Sequence, residues 1–297
     1  MIRHRTTAAV LFVLLAGWAL PGTAQGAVPR IVFPVVAKNH YTNDFGAPRW
    51  QGRHEGNDVM AGWKSAVVAA EPGKVVKWTR SASAGCMLYL YGRSGTTYMY
   101  VHLNNDRTRR NDNRGGCRNG IAFAPGLARE QRVKAGQLIG YVGDSGDANG
   151  IATHLHFELH PRDRGAVSPY RWLRRGFRLL YPRPPAATKT LELKIWGRVV
   201  SKRLELEPDR LRVRVTYVRL SNGWGFRPGR KVAVSVPAES VVERAAEAGA
   251  LATTLAKARI GERVVVSTES FRQTLSNARG SAGRLAAAQI LLRGQKS

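Results

Sequence analysis

Thr153-His154-Leu155-His156-Phe157-Glu158-Leu159-His160 reads as a β-strand, because its polar and apolar residues alternate without a break. Side chains on a strand point to opposite faces in turn, so His154, His156, Glu158 and His160 share one side. Leu155, Phe157 and Leu159 occupy the other side and are predicted to enter a core. A strand with an apolar back and a front of imidazoles and a carboxylate is suited to line a cleft. The same logic applied to Thr96–Leu103 places Tyr98, Tyr100 and His102 on one face, backed by Met99, Val101 and Leu103. Met87 to Tyr91, the turn Gly92-Arg-Ser-Gly95 and this segment form a predicted hairpin. Val133 to Val142 is a further strand-and-turn unit. The stretch from about Ile31 to Tyr181 is therefore read as mostly β, with an antiparallel sheet.

Beyond it, Tyr181-Pro-Arg-Pro-Pro-Ala-Ala-Thr188 is Pro-rich and extended, which predicts a linker over 182–188. Alternation resumes at Leu191, Leu193 and Ile195, again at Leu211, Val213, Val215 and Tyr217, and at Val232, Val234 and Val236. An Ala-rich stretch near Ser240–Ala258 reads as helical, and strands are expected near Arg263–Thr268 and Arg284–Leu292. Three strands, a helix and two strands match the element order of an OB-like barrel, predicted here as a smaller β-rich domain over 189–297.

The 297 residues allow one large domain or two ordinary ones. Hydrophobic residues make up 43%, which excludes a wholly disordered chain. At the N-terminus, Arg3, His4 and Arg5 precede an apolar run from Ala8 to Leu20, followed by small residues around Ala24 and Gly26. This pattern predicts a secretory signal peptide over 1–26; the run is shorter than the ~20 residues a membrane span needs. Its removal takes away Arg3 and Arg5 and lowers the net charge from +27 to +25, leaving no transmembrane segment. For an exported protein such a charge points to anionic wall polymers and membrane headgroups, not nucleic acid, as partners. The C-terminal half also lacks an evident aromatic ladder of the kind that stacks bases.

The remaining histidines define the chemistry. Arg53-His54-Glu55-Gly56-Asn57-Asp58 sets an imidazole and a carboxylate four apart across a glycine, whose conformational freedom would bend both toward one point. Two imidazoles and a carboxylate suit zinc, and catalytic zinc sites keep three protein ligands with one position left for water. His40 and His160 are read as ordinary surface or core histidines. Gly143-Asp144-Ser145-Gly146 is similar to the nucleophile segment of trypsin-like proteases, but without supporting triad residues it is read as a turn.

His54-x-Gly56-x-Asp58, Tyr100-x-His102-Leu103, Val133-x-x-Gly136-Gln137-x-Ile139-Gly140, Gly143-x-Ser145-Gly146 and Thr153-His154-Leu155-His156-Phe157-Glu158 together resemble the lysostaphin-type (LytM-like) zinc metallopeptidases. The resemblance spans roughly Ile31 to Leu173. It implies a metallopeptidase domain over 27–181 with an open active-site groove, and one zinc ion per chain on His54, Asp58 and His156. It further implies that His102 and His154 handle the water proton and the transition-state charge. His154 is taken as general base, though the two roles are exchangeable. Glu158 either orients a histidine from the second shell or is a solvated strand-end carboxylate. No tyrosine matches the one that some members place near the oxyanion, which leaves Arg49 or a Tyr from another loop.

The implied activity is hydrolysis of peptidoglycan stem peptides or cross-bridges by a secreted, wall-associated enzyme. The alternative is a non-hydrolytic wall-binding scaffold or amidase activator of the same fold. Cys86 and Cys117 remain. Pairing across the Gly92–Gly95 turn sets Cys86 roughly opposite Val101–His102, where the loop carrying Cys117 begins. A disulfide is therefore expected in an exported protein.

Overall fold

Strands with one apolar face must pair and then cover that face, and the chain does both. The computed structural model describes residues 28–50, 52–162, 164–183, 190–247, 249–272, 274–280 and 285–294. The expected signal peptide and residues 184–188 of the expected linker lie outside them. Seven strands form an antiparallel sheet in the order Glu130–Val133, Gly73–Ser81, Gly85–Gly92, Thr96–Leu103, His154–Pro161, Asn57–Ala61 and Asn39–His40. A second sheet of Val35–Val36, Ala66–Val68 and Leu138–Tyr141 supplies the covering layer. Leu88, Leu90, Tyr98, Tyr100, Leu155, Phe157 and Leu159 are fully buried in one core with Val67, Val68 and Ile139. Burying each such side chain contributes roughly 1.5–3 kcal/mol. The Ala70 backbone N–H donates to the Tyr100 hydroxyl at 2.8 Å and satisfies that buried polar tip.

The expected faces hold for the His154–His160 strand and fail for its neighbour. Tyr98 and Tyr100 enter the core, while Met99 and Val101 face the cleft. Register decides this: Val101 pairs with His156, Tyr100 with Phe157 and Met99 with Glu158, and paired residues share a face. His102 nevertheless reaches the cleft, through a break in the alternation. The pairing with the preceding strand shifts between Cys86/Leu103 and Leu88/Tyr100, and His102 adopts φ of 59°. This bulge re-aims one side chain, at a backbone cost of roughly 1–3 kcal/mol. It also moves Cys86 opposite Leu103 instead of the expected Val101–His102.

The expected disulfide is present: Cys86 and Cys117 are bonded across 31 residues. It ties the loop after Leu103 back to the sheet beside the cleft.

The C-terminal strands Leu193–Arg203, Asp209–Leu220, Lys231–Val236, Arg263–Thr268 and Ala287–Arg293 form a separate sheet. Leu193–Arg203 pairs with Asp209–Leu220 and with Arg263–Thr268; these in turn pair with Lys231–Val236 and with Ala287–Arg293. A parallel bridge between Ser235 and Ala286 joins the two ends, making a five-stranded ring. The helix expected near Ser240–Ala258 is instead a hairpin of Val241–Ala246 and Gly249–Ala252, followed by a 3-10 turn at Leu255–Lys257. Val241–Ala246 is drawn into parallel pairing with Ala287–Arg293, a non-local contact that overrides the helical preference of its alanines. The ring docks on the first half through the Lys38 N–H to the Arg227 carbonyl and the Leu180 N–H to the Ala278 carbonyl.

Cutting the cross-link should cost about 3–4 kcal/mol of stability, from the chain entropy released to the unfolded state. Urea unfolding of the Cys86→Ser/Cys117→Ser double variant should show a lower midpoint. An unchanged midpoint would mean that the loop is held by other contacts.

Candidate metal centre

Strand pairing assembles the centre. Asp58 lies directly opposite His156, and Met60 opposite His154, on adjacent antiparallel strands. His54 sits just before the Asn57–Ala61 strand and folds back over it. Gly56 permits that approach, for a reason other than the expected conformational freedom: its φ is not positive. A Cβ there would lie 2.7 Å from the Phe157 carbonyl oxygen and 2.9 Å from the His156 ring. As a result His54 Nε2, Asp58 Oδ1 and His156 Nδ1 form a triangle with edges of 2.9, 3.1 and 3.1 Å. Among the described residues, this His/Asp group is the one whose donors could hold a metal ion.

The protons make the case for a cation. The His54 Nδ1–H donates to the Asp44 backbone carbonyl at 2.9 Å, and the His156 Nε2–H donates to Glu158 Oε1 at 2.9 Å. Both acceptors lack a proton to give, so each neutral ring turns a lone pair toward the carboxylate oxygen of Asp58. Three lone pairs at contact distance repel unless a positive charge sits among them. The edges are close to the roughly 3.3 Å expected for tetrahedral nitrogen and oxygen donors at ~2.0–2.1 Å from a metal. On protein groups alone a proton takes that place. Burial would lower the His156 ring, but Asp58 and Glu158 overcome it and push the ring up to about 9. Burial likewise works to raise the Asp58 carboxyl, yet the bonds to His156 and His54 hold it well below the usual carboxylate range.

His102 and His154 flank the triangle. The His102 Nδ1–H donates to the Ser145 carbonyl at 2.8 Å and the His154 Nδ1–H to the Ala152 carbonyl at 2.9 Å. Each ring therefore turns its Nε2 toward the cleft; that of His154 lies 3.8 Å from Asp58 Oδ1. The rings meet edge to face, with centroids 5.1 Å apart. Burial, and then the neighbouring His154, lower the His102 ring to about 4, so it is a free base at neutral pH. Ser145, in the segment similar to a protease nucleophile, has its hydroxyl engaged with the Leu103 carbonyl and the Cys86 N–H. The turn reading of that segment agrees with this.

Glu158 is a buried orienting group: it accepts from His156 and, at 2.6 Å, from His160 Nε2. Burial would raise its carboxyl, but these two histidines bring it down to about 2. His160 therefore has a place in the site's support, contrary to the expectation of an ordinary histidine. Arg49 donates to Asp58 Oδ2 at 2.8 Å and lines the cleft. Asp44 was not legible in the sequence: its carbonyl holds His54, and its carboxylate accepts from the Asn57 side chain and the Asp58 N–H. Tyr89 also escaped notice; it pairs with Met99, itself opposite Glu158, and so lies on the groove face. All five expected histidine and aspartate positions line one open cleft of about 760 Å³.

Gly56→Ala should press on the Phe157 carbonyl and the His156 ring and weaken divalent-metal affinity at least tenfold, measured by competition with a chelator on protein whose circular dichroism matches the parent's. Unchanged affinity would show that the close approach is not required.

No family model matches this chain. It is similar to a solved structure from Ruminococcus gnavus proposed to be the glycyl-glycine endopeptidase LytM, with 22% identity over 52% of this chain and a TM-score of 0.40. That match spans 63% of the other protein, so less than two thirds of its length is covered. The chain is similar also to the catalytic domain of the antimicrobial peptidase lysostaphin from Staphylococcus simulans: 24% identity, 46% of this chain, 92% of that one, TM-score 0.36. A third is the catalytic domain of a prophage-encoded M23 protein from Enterococcus faecalis, at 24% identity, 44% and 89% coverage and TM-score 0.32. Lysostaphin- and LytM-type peptidases are what this chain resembles.

Proposed function

We propose that the chain is a secreted, zinc-dependent endopeptidase that hydrolyses peptide bonds of bacterial cell-wall peptidoglycan. The observation that carries this reading is the convergence of His54 Nε2, Asp58 Oδ1 and His156 Nδ1 on one point in an open cleft, with the imidazoles of His102 and His154 beside them. Two imidazoles and one carboxylate suit zinc, which would supply Lewis acidity and activation of water when bound. His54, Asp58 and His156 would hold it.

The chain's own part in the reaction follows from how its imidazoles are oriented. His154, set by the Ala152 carbonyl with its Nε2 toward the cleft, would accept the proton of the attacking water. His102, a free base whose Nε2 also faces the cleft, would share in taking up that proton and, as the imidazolium so formed, would pass it to the departing amine or steady the charge on the carbonyl oxygen. Glu158 would fix the tautomer and orientation of His156, with His160 bracing the carboxylate in turn. Arg49, on the second oxygen of Asp58, would keep that carboxylate aimed.

In this reading 1–26 is the signal peptide, 27–181 the catalytic domain, and 189–297 an OB-like domain that contacts wall polymer. The disulfide supports an extracytoplasmic location. Among the described residues no helix is long and apolar enough to cross a membrane. The basic surplus would favour retention on anionic wall polymers.

Purified protein should release peptide fragments from isolated wall sacculi and lose this activity on treatment with a chelator. His54→Ala and Asp58→Asn should lose both bound zinc and hydrolysis. His102→Ala and His154→Ala should keep the metal while turnover falls by about 10²–10⁴-fold. Full zinc content with intact sacculi would instead identify a non-hydrolytic wall-binding scaffold or amidase activator.

A further inference from the structure

A second cavity, of about 340 Å³, lies where the C-terminal ring docks on the first half. Lys38, His40, Tyr41, Arg178 and Arg230 contribute to its walls, no acidic side chain does, and none of its lining residues also lines the metal cleft. The Arg178 guanidinium lies over the Phe33 ring, 3.8 Å from its centroid, and donates to Asn39 Oδ1 at 3.1 Å. Arg230 donates from Nη1 to the Arg178 carbonyl, which fixes the second guanidinium beside the first. Arg49, Lys74 and Arg244 are among the cations that pair with carboxylates. Arg178, Arg230 and Lys38 make no such pair among the described residues.

Crowding cations in a half-buried cavity without a counter-charge is costly, and an anion would relieve that cost. Burial, and then the charges of Arg178 and Arg279, bring Arg230 down to about 10. A guanidinium presents five N–H donors in a planar fork that matches phosphate oxygens. Two guanidiniums and an ammonium balance a doubly charged phosphate better than a single carboxylate. The volume admits a phosphate with an attached polyol or sugar.

We propose that this junctional cavity is a binding site for phosphate-class oxyanions, held between Arg178 and Arg230 with Lys38 at the mouth. The site draws residues from both halves, so an occupying anion would bridge them. It is independent of the hydrolytic reading: binding here needs neither the metal nor turnover.

The test is calorimetric titration of the full secreted chain with inorganic phosphate, glycerol 3-phosphate and short glycerol-phosphate polymer, against acetate at equal ionic strength. One saturable site per chain is expected for the phosphate probes and none for acetate. Arg230→Gln should weaken phosphate binding at least tenfold, whereas Arg110→Gln, at an exposed arginine between Leu103 and Cys117 that does not line this cavity, should leave it unchanged. His54→Ala should also leave it unchanged, separating this site from the metal centre. If Arg230→Gln does not fold by circular dichroism, the rim variant Lys38→Ala serves, with an expected loss of about threefold or more. Tighter binding of the polymer than of the monomers would identify a phosphodiester source, and equal binding a small phosphate; either supports the site. Phosphate binding that is absent, matched by acetate, or insensitive to Arg230→Gln and Lys38→Ala alike would overturn it.

Discussion

Each of the four imidazoles around the centre has one ring nitrogen tied to an oxygen that can only accept: the carbonyls of Asp44, Ser145 and Ala152, and the carboxylate of Glu158. In the neutral form of each ring, that contact places the proton on the tied nitrogen and turns the other ring nitrogen toward the cleft. With the carboxylate of Asp58 among them, the concentration of electron pairs has no stable arrangement without a cation or a captured proton. The chemistry of the cleft is a consequence of where the protons are pinned.

The sheet is what places these groups. Antiparallel register sets Asp58 against His156, and the same register sends Leu155 and Phe157 into the core behind them. The apolar back of the strand thus anchors the reactive front, and a one-residue slip would reverse both. Two local departures complete the site. The missing side chain at Gly56 lets the His156 ring sit against the chain that carries His54, and the bulge at His102 turns an imidazole out of a strand that would otherwise bury it.

Much of this was legible in the alternation of Thr153–His160 and in the spacing of His54 and Asp58, because a strand's two faces and a metal's preference for imidazole and carboxylate are local rules. The faces of Thr96–Leu103 were misread because alternation states that two faces exist without stating which is inward. Register with the neighbouring strand decided it, and the bulge added a parity change invisible in the residues. The hairpin at 241–252 was read as a helix for a related reason: its alanines carry a helical preference, and the parallel partner that overrides it lies more than forty residues away. Asp44 and His160 were missed because a backbone carbonyl that holds His54, and a histidine that reaches the site only through Glu158, leave no residue pattern. The junctional cations were visible as surplus charge, but their gathering around one cavity depends on how the ring docks.

The central claim is that two imidazoles and one carboxylate grip a single zinc ion, and X-ray absorption at the zinc edge of the purified chain tests it most directly. The account predicts one zinc per chain, with scattering from two imidazole rings and further oxygen neighbours at about 2.0–2.1 Å. A spectrum of a hydrated ion without imidazole scattering, or one dominated by sulfur at about 2.3 Å, would contradict it.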